Sequence, residues 1–243
     1  MTSALRIAIV GAESTGKTAL AQALAGQIAA LTGQRCTWVG EWLRTWCDQQ
    51  GRTPRLDEQQ AIAEHQHRLI DAAAATHDVV VCDTTALMTA VYSDLLFNDT
   101  GLVPYAMAQQ RRCQITLLTA LDITWVADGL QRDGPQVREP VDSRVRALLI
   151  GHRLPWALVA GQGAARVDAA VDAVAPLLRG RAGPGLSQRN GLFSRLAGRD
   201  AADRAQRAGW ASLCERCDSP ECEHLALRQR LGGWHHQPPP SSG

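Results

Sequence analysis

Arg6-Ile7-Ala8-Ile9-Val10-Gly11-Ala12-Glu13-Ser14-Thr15-Gly16-Lys17-Thr18 is the stretch on which the reading of this chain turns. Four apolar residues, mostly β-branched, run from Arg6 into a glycine, which predicts a buried strand, and Thr18 to Leu31 then places apolar residues at helical spacing. Between the two, the spacing G-x-x-x-x-G-K-[ST] is complete from Gly11 to Thr18. Strand, glycine-containing loop and helix start, in that order, predict a phosphate cradle. Successive N–H groups from Ser14 to Thr18 would converge on a β-phosphate with help from the helix dipole, and the glycines let the backbone come that close. Lys17 would bridge β- and γ-phosphates, and the Thr18 hydroxyl would sit on magnesium. The expected ATP-binding residues are therefore Gly11, Glu13, Ser14, Thr15, Gly16, Lys17 and Thr18. A turn that spells the motif by chance is disfavoured by its flanking elements and by lysine usage. Of the 25 basic side chains 24 are arginine, and the single lysine is Lys17. A guanidinium fork is too wide where a compact point charge is needed.

Outward from that stretch, strands and helices alternate. Cys36–Val39 reads as a second strand ending at Gly40-Glu41, and Leu56 to Ala75 as a helix with Asp57 as its N-cap. Asp78–Cys82, closed by Asp83, is a third strand. Helices are expected over Thr85–Phe97 and Tyr105–Arg112, and a fourth strand over Gln114–Thr119. A polar stretch from Asp122 to Glu139 interrupts the alternation and is the expected mobile lid. Val141–Ile150 returns to helix, Trp156–Val159 gives a fifth strand, and Ala164–Leu178 a last helix. This pattern predicts an α/β fold: a three-layer P-loop NTPase sandwich around a mostly parallel five-stranded sheet. The Gly/Pro cluster from Gly180 to Gly185 predicts a boundary. We therefore expect a nucleotide-binding domain over 1–179, a linker and arginine-rich helical segment over 180–209, a cysteine cluster over 210–236 and a disordered tail over 237–243.

In an open parallel sheet the ligand lies beyond the carboxyl ends of the strands, so acids that finish strands matter most. Asp83 ends an apolar β-run as a Walker-B carboxylate does. It is a candidate to hold magnesium or to accept the proton of an attacking hydroxyl. Glu41 ends the strand expected to neighbour the first and is a candidate substrate-facing carboxylate; either acid could instead cap the element that follows it. Which of the two is the general base stays open at this point, because both proton affinity and reach depend on geometry. In the lid, Arg132 and Arg138 are candidates to meet the transferring phosphoryl group, and Asp128 to contact substrate or metal. A solvated charged loop is the competing reading for each of the three.

With those residues in hand the chain resembles the ribosylnicotinamide-kinase-like P-loop ATPases, the class that includes the C-terminal kinase domain of the bacterial NAD-biosynthesis regulator. The likeness spans Leu5 to Leu178. It rests on the G-x-E-S-[ST]-G-K-[ST] form of the loop, on Glu41-Trp42-Leu43-Arg44, on Asp83-Thr84-Thr85 with Thr89, and on Trp125 to Gly134. The resemblance implies ATP- and magnesium-dependent phosphorylation of the ribose 5′-hydroxyl of nicotinamide riboside or a related nucleoside. It places Glu41, Arg44, Thr85, Trp125 and Asp128 at the substrate. The chain departs from the family's Asp-Thr-Asp pattern by carrying Thr85 at the third position. No H-x-G-H nucleotidyltransferase motif is present, and the phosphate-loop strand comes first, so the multifunctional regulator itself is not expected.

Net charge of +1 gives no bulk reason to expect nucleic acid as a partner. With no run of 18 apolar residues and no apolar leader, no membrane association is expected and the cytoplasm is the expected location. Seven cysteines, an odd number, point to reduced thiols rather than a disulfide framework. Cys214, Cys217, Cys222 and His224 form a candidate structural zinc site, with His235 or His236 as alternative fourth ligands and unligated or redox-active thiols as alternative readings. A second function class also fits the sequence: a P-loop ATPase switch that controls a protein partner bound through the C-terminal tail.

Overall fold

A computed structural model describes residues 3–126 and 134–179. The first strand, β1 (Leu5–Val10), is almost wholly buried, and the phosphate loop carries it into α1 (Lys17–Thr32). There follow β2 (Cys36–Val39), α2 (Trp42–Gln50), α3 (Gln59–Thr76), β3 (Val79–Asp83), α4 (Ala86–Phe97) and α5 (Val103–Gln110). β4 (Ile115–Thr119), α6 (Arg138–Gly151), β5 (Trp156–Val159) and α7 (Gly163–Arg179) complete the described chain. The sheet order is β2-β3-β1-β4-β5 and all four pairings are parallel. β1 and β3 lie side by side in the sheet and read as apolar runs over Ile7–Val10 and Val79–Cys82, as strands covered on both faces do. α1 packs on α7, while α4 packs on α3, α5 and α6. Val10 and Leu118 of the sheet join Leu87, Val91, Val145 and Leu149 of α4 and α6 in one core.

Three expectations are corrected. β2 does not neighbour β1, because β3 lies between them, so Glu41 stands one strand further from the phosphate loop than expected. Asp57 is not an N-cap. The chain enters α3 through a 3₁₀ turn, Leu56–Glu58, in which the Glu58 carboxylate accepts the Arg55 N–H at 2.8 Å and two bonds from Arg52 at 2.7 and 2.6 Å. Asp57 is left on the surface, 3.7 Å from the Arg55 guanidinium. The interruption expected from Asp122 to Glu139 also ends sooner: Pro135–Val137 is a 3₁₀ turn, and Arg138 and Glu139 already belong to α6. In addition, α2 was not foreseen, although Gly51 closes it in the left-handed region (φ 65°), a common helix stop.

Asp128 and Arg132 lie outside the described residues, as do Cys214, Cys217, Cys222, His224 and every expectation beyond 179. Among the described residues no helix is long and apolar enough to cross a membrane. Cys36, Cys47, Cys82 and Cys113 form no disulfide among the described residues.

Candidate functional site

Local geometry builds the phosphate loop. Gly11 has φ 146°, and a Cβ there would lie 2.1 Å from Thr119 Oγ1, so glycine is needed both for backbone conformation and for contact with β4. Ser14 takes φ 54° and Gly16 φ 73°, which turns the backbone before α1 begins. The Thr15 hydroxyl donates to Ala12 O at 2.8 Å and meets Thr119 Oγ1 at 2.7 Å. Lys17 Nζ donates to the same Ala12 carbonyl at 2.8 Å. Lys17 opens α1, so its charge and the free N–H groups of the first turn share one end of one helix.

Thr18 Oγ1 donates to Asp83 Oδ2 at 2.6 Å, which joins the two residues expected at the metal. Asp83 Oδ1 is buried and has no hydrogen-bond partner among the described residues. Burial pushes the Asp83 carboxyl above its ordinary value, against the pull of Thr18 and Lys17. Burial lowers Lys17 in turn, opposed by Glu41, Asp83 and Glu13. Glu41 is the strongest of those opposing charges, so its carboxylate acts on the loop lysine despite the intervening strand. A hydroxyl beside a carboxylate with an unspent oxygen is a hard-oxygen donor set that fits magnesium.

From the loop a cleft of about 920 Å³ opens toward α2, the start of α3 and α4. Glu13 to Thr18 form one end of it, and Glu41 and Arg44 lie on its wall, 3.7 Å apart. Met88, Tyr92 and Leu96 line it from one face of α4 at spacing i, i+4, i+8. These, with Leu43, Phe97 and Pro54, make that side of the cleft apolar.

Not every expected residue meets the cleft. Thr85 is fully buried; its hydroxyl donates to Gln110 Oε1 at 2.6 Å and caps Leu87 N. Its neighbour Thr84, at φ 67°, lines the cleft instead. The left-handed turn at Thr84 explains the swap: the chain leaves β3 there, and the next residue, Thr85, caps α4. Trp125 and Arg138 are absent from the lining; Trp125 Nε1 and two Arg138 nitrogens are buried without partners among the described residues. Trp42 is structural, stacked on His65 at 4.0 Å, with its N–H bonded to Gln66.

Arg166 escaped the sequence reading altogether. It is 4% exposed on α7, 151 residues from the loop it serves, and it donates to Thr15 O at 3.0 Å. Its other bonds reach Ala120 O, Gly161 O and Asp122 Oδ1, at 3.2, 2.6 and 2.7 Å. One guanidinium thus ties the loop to the ends of β4 and β5. No local motif announces such a role, because its partners are mostly backbone carbonyls.

A family model described as an AAA domain matches residues 6–166. No curated protein matches the chain in sequence. Among solved structures it is similar to the NadR protein in complex with NR, with TM-score 0.60 and 18% identity over 71% of this chain and 50% of that one. It is likewise similar to NadR in complex with NAD and AMP-PNP, with TM-score 0.57, 18% identity, and 71% and 49% covered. Thymidylate kinase from Ehrlichia chaffeensis gives TM-score 0.51 and 14% identity over 72% of this chain and 100% of that one. The match therefore spans about half the length of NadR, and at these identities it establishes the fold.

Proposed function

We propose, from the premise that the chain belongs to the AAA domain family, that it is an ATP- and magnesium-dependent kinase of a small nucleoside-like acceptor, with nicotinamide riboside as the first candidate. The observation that carries this reading is the continuity of the cleft: the same cavity holds the phosphate loop at one end and an apolar chamber on α2 and α4 at the other. A nucleotide switch needs the first end only. The structures sharing the fold include one of NadR described with NR and one of a thymidylate kinase, which favours an acceptor of this chemical class.

In this reading the backbone N–H groups of 14–18 and the Lys17 ammonium hold the β- and γ-phosphates. Thr18 and Asp83 hold magnesium, which would neutralise charge on the phosphate oxygens during transfer. With Asp83 committed there, Glu41 is assigned to the acceptor, receiving the proton of its attacking hydroxyl, and Arg44 steadies the Glu41 carboxylate. The phosphorus–oxygen bond to ADP breaks as the bond to the acceptor oxygen forms. Arg132, Asp128 and Trp125 are assigned to lid closure over the transferring group, and Arg138 to anchoring the lid's return into α6.

The test is ADP release with ATP and magnesium, with and without each nucleoside of a panel, on the wild-type chain and on Lys17→Ala and Glu41→Gln. Acceptor-dependent turnover lost in both variants supports the kinase. Slow turnover indifferent to every acceptor replaces it with the ATPase switch.

A further inference from the structure

Among the described residues, four other than glycine hold a positive φ: Ser14, Thr84, Asn98 and Arg153. Asn98 ends α4, where asparagine takes the left-handed region readily. Thr84, at φ 67°, is the one β-branched residue of the four, and for that side-chain type the conformation is a genuine outlier. The surroundings fix it there. Its N–H donates to Ile9 O at 3.0 Å, and on the next residue the Thr85 hydroxyl donates to Gln110 and accepts the Leu87 N–H. Glycine or asparagine would take the same turn at less cost, so the chain keeps its strain together with a threonine side chain. The hydroxyl of that side chain also stands apart. Thr15, Thr18, Thr85, Thr116 and Thr119 all engage theirs with protein groups. Thr84 is 4% exposed and its hydroxyl bonds to no protein group among the described residues, yet the oxygen is not sealed in: it opens on the cleft that Thr84 lines.

We propose that Thr84 is a further catalytic residue of the phosphoryl transfer: its hydroxyl donates a hydrogen bond to an oxygen of the transferring group. This rests on the kinase reading given above and deepens it. In the chain Thr84 stands between Asp83, which is bonded to Thr18, and Met88, the first residue of the apolar wall on α4. That is the joint between the two ends of the cleft, where an acceptor hydroxyl meets the phosphorus. A hydroxyl suits the place. Charge on the transferring group is spread over three oxygens, and positioning with electrostatic stabilisation supplies nearly all of the rate. A neutral donor held by a rigid turn needs no reorganisation at the moment of reaction. It keeps its hydrogen throughout, and the acceptor's proton still goes to Glu41. The strain then has a use, because the left-handed turn presents this side chain to the cleft while the next one caps α4.

The experiment compares wild type with Thr84→Val, Thr84→Gly and Thr84→Ser, reading the melting temperature and then kcat and KM for ATP and for the nucleoside that wild type phosphorylates best. Valine keeps the branched shape and removes the hydroxyl, glycine keeps the turn and removes the side chain, and serine keeps the hydroxyl. Thr84→Val is expected to melt within ~2 °C of wild type, since no protein group loses a bond. In both Thr84→Val and Thr84→Gly kcat is expected to fall on the order of 10²-fold, as for the loss of one preorganised donor, with both KM values within about 3-fold of wild type. Thr84→Ser is expected to keep kcat within about 5-fold of wild type. Wild-type kcat in Thr84→Val or Thr84→Gly, a loss confined to the KM for ATP, or a Thr84→Ser as slow as Thr84→Val each overturns the assignment and leaves the kinase in place. So does a marked fall in the melting temperature of Thr84→Val, which a structural hydroxyl would give. If the wild-type chain phosphorylates no nucleoside, the kinase reading falls and takes this assignment with it.

Discussion

The two ends of the cleft are built on opposite plans. At the phosphate end short-range geometry dictates nearly everything: eight consecutive residues form the cradle, and the side chains of Thr15, Lys17 and Thr18 are bonded within it or to the strands beside it. At the other end the wall comes from α2, the start of α3 and α4, and its apolar part is carried by Met88, Tyr92, Leu96 and Phe97. A site that binds one invariant chemical group can be rigid before its ligand arrives, whereas a wall assembled from separate helices takes its shape from their packing.

The largest effect should come from striking the rigid end. Lys17→Ala removes the one compact cation of the loop, and kcat/KM should fall by about 10³-fold, worth about 4 kcal/mol of transition-state stabilisation. Steady-state ADP release measures it. A loss shared equally by every acceptor sharpens the contrast between the ends; a loss that varies with the acceptor breaks it.

A second test uses a buried polar side chain that touches neither end. His67 sits on α3 with both ring nitrogens buried and unpartnered among the described residues, edge-on to Tyr105. Burial, reinforced by Arg112 and Arg6 and opposed by Asp71, lowers it from 6.5 to about 4. The unfolded chain therefore takes up this proton at a higher pH than the folded one. Stability is unaffected by His67 above about pH 6.5 and falls as pH drops from there toward 4, by about 3 kcal/mol in all. Denaturant titrations of wild type and His67→Phe across that window should show the variant losing this part of the slope, with the KM for every acceptor unchanged at neutral pH.

Next in size is Arg166. Its guanidinium is 5% exposed and its partner Asp122 35% exposed, so Arg166→Met should cost about 2 kcal/mol, less than for a fully buried pair because water reaches the carboxylate. The Thr15 carbonyl loses its tether, and KM for ATP should rise about 10-fold while acceptor preference is kept. Urea unfolding and ATP titration at saturating acceptor check the two parts. A change in preference would mean that the two ends are coupled.

Legibility followed the same division. Lys17, Thr18 and Asp83 could be read because the loop is contiguous and the Asp83 strand is an unbroken apolar run, and the structure brings Thr18 and Asp83 together. The five strands were legible as short apolar runs, and β1, β2 and β3 are also closed by Gly11, Gly40 and Asp83. The neighbour of β1 was not, because strand order depends on how crossovers pack rather than on sequence adjacency. Thr85 was misplaced by a single residue, and in a chain leaving a strand that is enough to move a side chain from the cleft to the core. Arg166 left no signal: an arginine that bonds mostly backbone carbonyls has no partner residue type to mark it in the sequence.

The smallest expected effect lies where the phosphate loop meets the Val126 backbone. The Ser14 hydroxyl accepts the Val126 N–H at 2.9 Å and lies 3.3 Å from Val126 O, so the last described residue before the 127–133 segment is fastened to the phosphate loop. Ser14 does this from the left-handed region at φ 54°, which a non-glycine residue occupies at some strain. Ser14→Ala keeps the strain and loses the bond; Ser14→Gly loses both. If the hydroxyl serves as a hinge pin between the two, Ser14→Ala should lower stability by about 1 kcal/mol and kcat by a few-fold. Ser14→Gly should recover the stability and not the turnover, since relief of the backbone does not restore the bond. Chemical denaturation set beside kcat separates the two contributions, and recovery of turnover in Ser14→Gly would show that backbone conformation, and not the link to Val126, is what the serine supplies.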